Sequence, residues 1–175
     1  MSQSFNDQLI ALLPRLRRFA RGMTGSAAAA DDLVQAACER ALSRSHQFLE
    51  GTRFDSWMFR IMQTIWIDQI RAREVRKEEH EDAAALIGTD LPARQIEARI
   101  RLGEVRTALN TIPAEQRAAL LLVTVEGLSY KEAAQVAQVP VGTIMSRLAR
   151  ARVALEERLG TGSDRRRSLD NAAAK

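Results

Sequence analysis

Ser129-Tyr130-Lys131-Glu132-Ala133-Ala134-Gln135-Val136-Ala137-Gln138-Val139-Pro140-Val141-Gly142-Thr143-Ile144-Met145-Ser146-Arg147-Leu148-Ala149-Arg150-Ala151-Arg152 is the stretch that decides the fold. Its opening four residues have the spacing of a capping box, in which hydroxyl and carboxylate close a helix start reciprocally. A short helix follows to about Ala137. Gln138-Val139-Pro140 then makes a tight connection, and a last helix runs to about Leu159. Two short helices joined by three or four residues, the second rich in arginine, form a helix-turn-helix.

The second helix has two faces. At ~100° per residue, Ile144, Leu148, Ala151 and Leu155 gather on one side, while Gly142, Ser146, Ala149, Arg150 and Val153 fall opposite. Thr143 and Arg147 flank one edge; Met145 and Arg152 flank the other. Small side chains let a helix sit deep in a major groove, and arginine suits guanine edges or phosphate. An amphipathic helix in an ordinary bundle is the alternative; the capping box and short turn favour the DNA-binding reading.

Working outward, Pro113 suits the first position of a helix over Ala114–Val125, ended by Gly127. Leu102, Val105, Leu109 and Ile112 form one helical stripe before it. Residues 96–160 therefore predict a four-helix domain. Residues 80–95 change character, acidic at first and then carrying Ala83-Ala84-Ala85, Gly88 and Leu91-Pro92. They predict a flexible linker of 16 residues, which would span roughly 50 Å at ~3.3 Å per residue.

Residues 5–79 predict a first helical domain. Phe5, Leu9, Leu12, Leu13, Leu16 and Phe19 recur at helical steps, with Pro14 implying a kink or a late start and Gly22 and Gly25 the end. A second helix starts near Ala27, with Asp31 and Asp32 suited to the dipole at its start. Asp55 is a plausible N-cap for a third apolar stretch through Ile70, either one helix or two with a break near Gln63–Trp66. Residues 161–175 predict a frayed basic tail. The fold class is all-α: two small helical domains on a flexible linker, the second bearing the helix-turn-helix.

Composition narrows the function. Ala, Leu, Arg and Glu dominate, strong helix formers all. The net charge of +4 is modest, but its placement says more. Arg71, Arg73, Arg76 and Lys77 cluster after one helix, Arg147, Arg150, Arg152 and Arg158 line another, and Arg165, Arg166 and Arg167 follow. Such clusters suit a phosphate backbone, with solvated helix faces as the plain alternative. Cys38 is a lone thiol, read as a small apolar helix residue in a reducing cytoplasm. The N-terminal residues do not read as a signal peptide, and no apolar run approaches the ~20 residues of a membrane span. His46 and His80 fall in no metal-ligand pattern with Cys38, and there is no phosphate-binding glycine loop. No catalytic set, metal or cofactor is expected.

Several blocks, in order, resemble the extracytoplasmic-function sigma factors of bacterial RNA polymerase. Pro140–Arg152 resembles their −35-binding helix, with Ile112-Pro113-Ala114-Glu115-Gln116-Arg117 and Glu126-Gly127-Leu128-Ser129-Tyr130-Lys131-Glu132-Ala133-Ala134 before it. Asp31-Asp32-Leu33-Val34-Gln35 resembles the polymerase-binding helix. Phe54-Asp55-Ser56-Trp57-Met58-Phe59-Arg60-Ile61, followed by Ile67-Asp68-Gln69-Ile70-Arg71, resembles the −10-binding segment.

The resemblance implies that Asp32 and Gln35 grip the polymerase clamp helices and that the second domain meets the flap. It implies a loop around Gln63, Thr64 and Trp66 that captures an unstacked −10 base, with Arg71, Arg73 and Arg76 tracking phosphates. It implies −35 contacts from Thr143, Met145, Ser146, Arg147 and Arg150. Partners are then core RNA polymerase, promoter DNA and an anti-sigma factor, in a cytoplasmic protein serving a stress response.

Three positions depart from the pattern: Thr64 where many members carry Asn, Met145 where several carry Arg or Lys, and Ala36 in place of a frequent Glu. Trp66, larger than the usual residue there, stacks on DNA or packs as core, and Trp57 reads as core. Two rivals remain. A sigma-like module that only sequesters an anti-sigma factor would not need Arg71, Arg73 and Arg150. An operator-binding dimer would not explain the first-half blocks.

Overall fold

The computed structural model describes the backbone of residues 4–76 and 93–173, and the side chains of residues 4–73, 75 and 100–160. Every regular element there is helical: α1 (Phe5–Thr24), α2 (Ala27–Ser43), α3 (Phe54–Arg76), α4 (Ala93–Asn110), α5 (Ala114–Thr124), α6 (Tyr130–Ala137) and α7 (Val141–Ala173), with a 3₁₀ turn at Ser45–Gln47. Among the described residues no helix is long and apolar enough to cross a membrane.

Local chemistry sets most boundaries. The Ser4 hydroxyl caps α1 by accepting from the Asp7 N–H, and Ser26 caps α2 by accepting from the Ala29 N–H. Pro14 neither delays nor ends α1. It leaves the Ile10 carbonyl without its helical donor, and Ile10 lies on the exposed side of the helix, where water can serve. Asp31 and Asp32 fall beyond the first turn of α2. Asp55, the expected cap, is instead the second residue of α3, inside its first turn.

α3 is a single helix through Gln63–Trp66. The implied base-capturing loop is therefore absent at that position. From Phe54 to Arg76 the chain has no Gly or Pro to break it. α3 is also packed on several sides, which buries Met58, Phe59, Ile61, Met62, Ile65 and Trp66. At its start Phe5, Phe48, Phe54 and Trp57 form an aromatic cluster with centroids 5.1–6.3 Å apart.

The helices fall into two groups, α1–α3 and α4–α7, but one apolar core runs through both. Leu16, Phe19, Leu33, Phe59 and Met62 share it with Ala118, Leu121, Leu122, Val136 and Ile144. A smaller cluster, Ile112, Leu120, Leu148 and Ala151, holds α5 to α7. Of the stripe expected on α4, Ile112 is buried and Leu109 packs on that cluster, while Leu102 is 69% exposed and Val105 is also exposed. Among the described residues of α4 only Ala108 is buried, with Gly103, Leu109 and Asn110 half-buried, so the stripe runs off the core there. The expected linker, 80–95, lies outside the described residues except that 93–95 already belong to α4. The expected frayed tail differs too: α7 continues to Ala173. Arg165, Arg166, Arg167, Leu169 and Ala172 there are good helix formers.

Candidate nucleic-acid interface

The Ser129–Glu132 capping box is present: the Ser129 hydroxyl accepts from the Glu132 N–H, and the Glu132 carboxylate accepts from the Ser129 N–H at 2.8 Å. Gln138 takes a left-handed conformation at φ 54°, turning the chain through Val139-Pro140 into α7. α6 and α7 pack through Ala133, Ala134, Val136 and Ile144. The predicted core face of α7 is buried at Ile144, Leu148 and Ala151 and half-buried at Leu155. Ser146, Ala149, Arg150 and Val153 are exposed opposite, Met145 is exposed on one edge, and Thr143 and Arg147 are half-buried on the other. The Ser146 hydroxyl donates to the Thr143 carbonyl at 3.0 Å, which orients it on the outer face. This surface of small residues and cations can enter a major groove.

On α3 the predicted contacts separate. Thr64 is exposed and donates to the Arg60 carbonyl at 2.9 Å. Gln63 and Trp66 are buried, 6% and 4% exposed, and present nothing to a base in this conformation. The Arg73 guanidinium lies 5.5 Å from the Trp66 ring centroid, a cation–π distance. Arg71 is exposed and reaches Glu115 of α5 at 3.5 Å. The Arg76 side chain lies outside the described residues. Asp32 and Gln35 share the exposed side of α2, where Gln35 Nε2 donates to Glu39 Oε1 at 3.0 Å. Next to them a groove of about 980 Å³ between α2 and α3 is lined by Glu39, Arg40, Arg44, Asp68, Gln69 and Arg73.

Three features escaped the sequence reading. Arg117, 7% exposed, donates to the Met23, Asn110 and Ile112 carbonyls and to Asn110 Oδ1. Glu126, its side chain fully covered, accepts from Arg15 at 3.0 Å and from Arg18 at 3.0 and 3.2 Å. Arg60 donates to the Gln135 carbonyl at 2.7 Å. The Arg117–Met23, Glu126–Arg15, Glu126–Arg18 and Arg60–Gln135 bonds join residues 75 to 111 positions apart, for which no local pattern exists.

A carboxylate network continues from there. Asp55 accepts from Arg15 and Arg53, and Arg53 also pairs with Glu132. Burial alone would raise the Asp55 pKa. The Arg53 hydrogen bond, the Ser56 N–H and Arg15 outweigh it and hold it below 3.8. The Ser129 hydroxyl and N–H, with Arg53, hold Glu132 below 4.5. Folded carboxyls with lowered pKa values stabilise the fold above their ordinary values and lose that contribution as pH falls through the folded ones. The melting temperature should therefore decline once pH drops below about 4.5, and more steeply below about 3.8. Asp55→Asn should melt lower at neutral pH and decline less on acidification; circular dichroism melts across that range check both.

Residues 9–63 match the family model described as the Sigma2 domain of PhyR, and residues 102–155 match Sigma-70, region 4. The chain is 36% identical over 152 residues to the ECF RNA polymerase sigma factor EcfG of Rhodopseudomonas palustris (strain TIE-1), covering 87% of this chain and 83% of that one. It is 34% identical to the ECF RNA polymerase sigma factor SigE of Mycolicibacterium smegmatis, covering 85% of this chain and 59% of the relative. Among solved structures, the sigma factor RpoE in complex with the anti-sigma factor NepR from Bartonella quintana superposes with a TM-score of 0.74 at 31% identity, covering 89% and 96% of the two chains. The anti-anti-sigma factor PhyR from the same organism, complexed with NepR, shares the fold at a TM-score of 0.61 and 19% identity, covering 88% of this chain and 50% of that one.

Proposed function

The chain belongs to the extracytoplasmic-function sigma factors of RNA polymerase, and we propose that it binds core polymerase through the Asp32–Gln35 face of α2 and reads promoters with α3 and α7. The observation that carries this reading is the α6–α7 unit. Its outward face holds Ser146 and Arg150 over small neighbours, inside a segment that matches sigma-70 region 4. In this reading Thr143, Met145, Ser146, Arg147 and Arg150 meet the −35 element, while Thr64, Arg71, Arg73 and Arg76 lie along the −10 segment. Gln63 and Trp66, buried here, support that segment from within. The chain positions and the polymerase does the chemistry. A similar sigma factor is held by NepR, so an anti-sigma factor is the proposed inhibitor, in a cytoplasmic stress response.

Run-off transcription with purified core polymerase on a genomic fragment library tests the reading. Defined transcripts that need this protein are expected, and their upstream sequences would supply both promoter elements. A second reading has one specific observation in its favour: residues 9–63 match the Sigma2 domain of PhyR, an anti-anti-sigma factor. Core binding without transcripts would favour that mimic, and neither binding nor transcripts would leave only a DNA-binding helix-turn-helix.

A further inference from the structure

The outward surface of α7 is not uniformly polar. Met145, near the start of the helix, is 53% exposed. Val141, one turn back on the same edge, is apolar too and 40% exposed. The opposite edge carries Thr143 and Arg147, and the floor between the edges carries Gly142, Ser146 and Ala149. A single exposed methionine on a protein surface means little. This one stands where packing gives no account of it. The core side of α7 is taken by Ile144, Leu148 and Ala151, and among the described residues Met145 packs on neither core cluster. A Cβ built on Gly142 would meet nothing within 4 Å, so the Met145 side chain does not fold over that glycine.

The chemistry of the side chain narrows what it can read. Recognition helices present their N-terminal residues to base edges. A cation there suits phosphate or guanine, and a hydroxyl serves several edges. A thioether can neither donate a hydrogen bond nor balance a charge. It offers a flexible, polarizable apolar surface. One base edge in the major groove matches that surface, the C5-methyl of thymine; cytosine presents an amino donor, and guanine and adenine present hydrogen-bonding atoms. The open space over Gly142 lets such an edge come close.

We propose that Met145 reads the 5-methyl group of one thymine in the −35 element, with Val141 as the second wall of the contact. The assignment rests on the −35 role proposed above for α7. It gives the two edges of the helix different tasks. Arg147 and the hydroxyl of Thr143 hold polar groups on one side, and Met145 adds on the other a thymine preference that no arginine supplies.

The test uses the full chain with core polymerase on a promoter recovered by run-off transcription. Each thymine of its −35 element, on either strand, is replaced in turn by deoxyuridine, which pairs alike and lacks only the methyl. Wild-type holoenzyme should bind one of these duplexes about fourfold more weakly than the unmodified one, the effect of one buried methyl, and the others equally well. Met145→Ala should bind the thymine and uracil forms of that duplex alike. Met145→Leu, still apolar, should keep part of the difference. Neither variant should melt lower, because the side chain is exposed, so lost discrimination is not lost folding. Wild-type binding that ignores every deoxyuridine overturns the proposal. A methyl preference that survives in Met145→Ala overturns it as well, by placing the contact on another residue. Absence of any protein-dependent transcript is a separate failure: it removes the promoter role, and the methyl reading falls with it.

Discussion

Arg117→Ala should lower the unfolding free energy by about 3–5 kcal/mol, as much as truncating a buried core aromatic. The guanidinium is 7% exposed and satisfies carbonyls of Met23, Asn110 and Ile112 at 2.6–3.1 Å. Hydrogen bonds from a charged donor contribute roughly 1.5–3 kcal/mol each, but they are not additive, and truncation also strands the buried acceptors. For a chain of this size each kcal/mol moves the melting temperature by about 2–4 °C, so a fall near 10 °C is expected by calorimetry. Arg117→Lys should recover little, because one ammonium cannot reproduce a planar fork facing several carbonyls. A drop under about 1 kcal/mol, the ordinary surface range, would mean that Arg117 is solvated in solution and ties nothing together.

That residue also marks where local reading ends. The α6–α7 unit was legible because its determinants are neighbours in sequence: a cap at Ser129 and Glu132, a turn at Pro140, and a core face at Ile144, Leu148 and Ala151. The outer face followed by geometry alone. Arg117 sits among Ala118, Ala119, Leu120 and Leu121 and has no neighbour that announces carbonyl partners across the molecule. Gly22 reads locally as a helix stop, yet α1 runs two residues past it, and Leu121 is what needs its missing side chain. Glu126 reads as a loop carboxylate before Gly127, and its partners lie 108 and 111 residues away.

The outcomes at Gln63–Trp66, where one helix or two stood open, and on α4 have the same origin. Periodicity identifies an apolar face but not whether a neighbour arrives to cover it. Leu102 and Val105 continue a faultless stripe and remain exposed, while Ala108 is the buried residue among those described on α4. Gln63 and Trp66 sit on a polar-apolar boundary that suits a loop equally well, and they are buried because the second half closes over the same helix that packs on α1 and α2. The same closure links the two kinds of site. Arg71, proposed for the −10 segment, reaches Glu115 of α5 across that closure.

On α7 the two should part company. Arg147→Ala with Arg150→Ala should cost about 2–6 kcal/mol of promoter affinity, from roughly 1–3 kcal/mol per arginine, or at least about 30-fold at ~1.4 kcal/mol per tenfold. Stability should change little, because Arg150 is exposed and Arg147 only half-buried at the helix edge. Salt dependence then separates the two roles an arginine can take. A phosphate contact contributes about 0.9 to the slope of log affinity against log salt, so losing two such contacts should flatten the slope by nearly 2 and weaken all sequences alike. A base contact leaves the slope in place and relaxes the preference at one position. Arg150, central on the outer face, is the expected base reader, and Arg147, on the flank, the expected phosphate contact. Single substitutions measured by fluorescence anisotropy on the −35 duplex at several salt concentrations resolve them. Unchanged affinity and unchanged slope in the double variant would remove both residues from the interface and reduce α7 to an ordinary bundle helix.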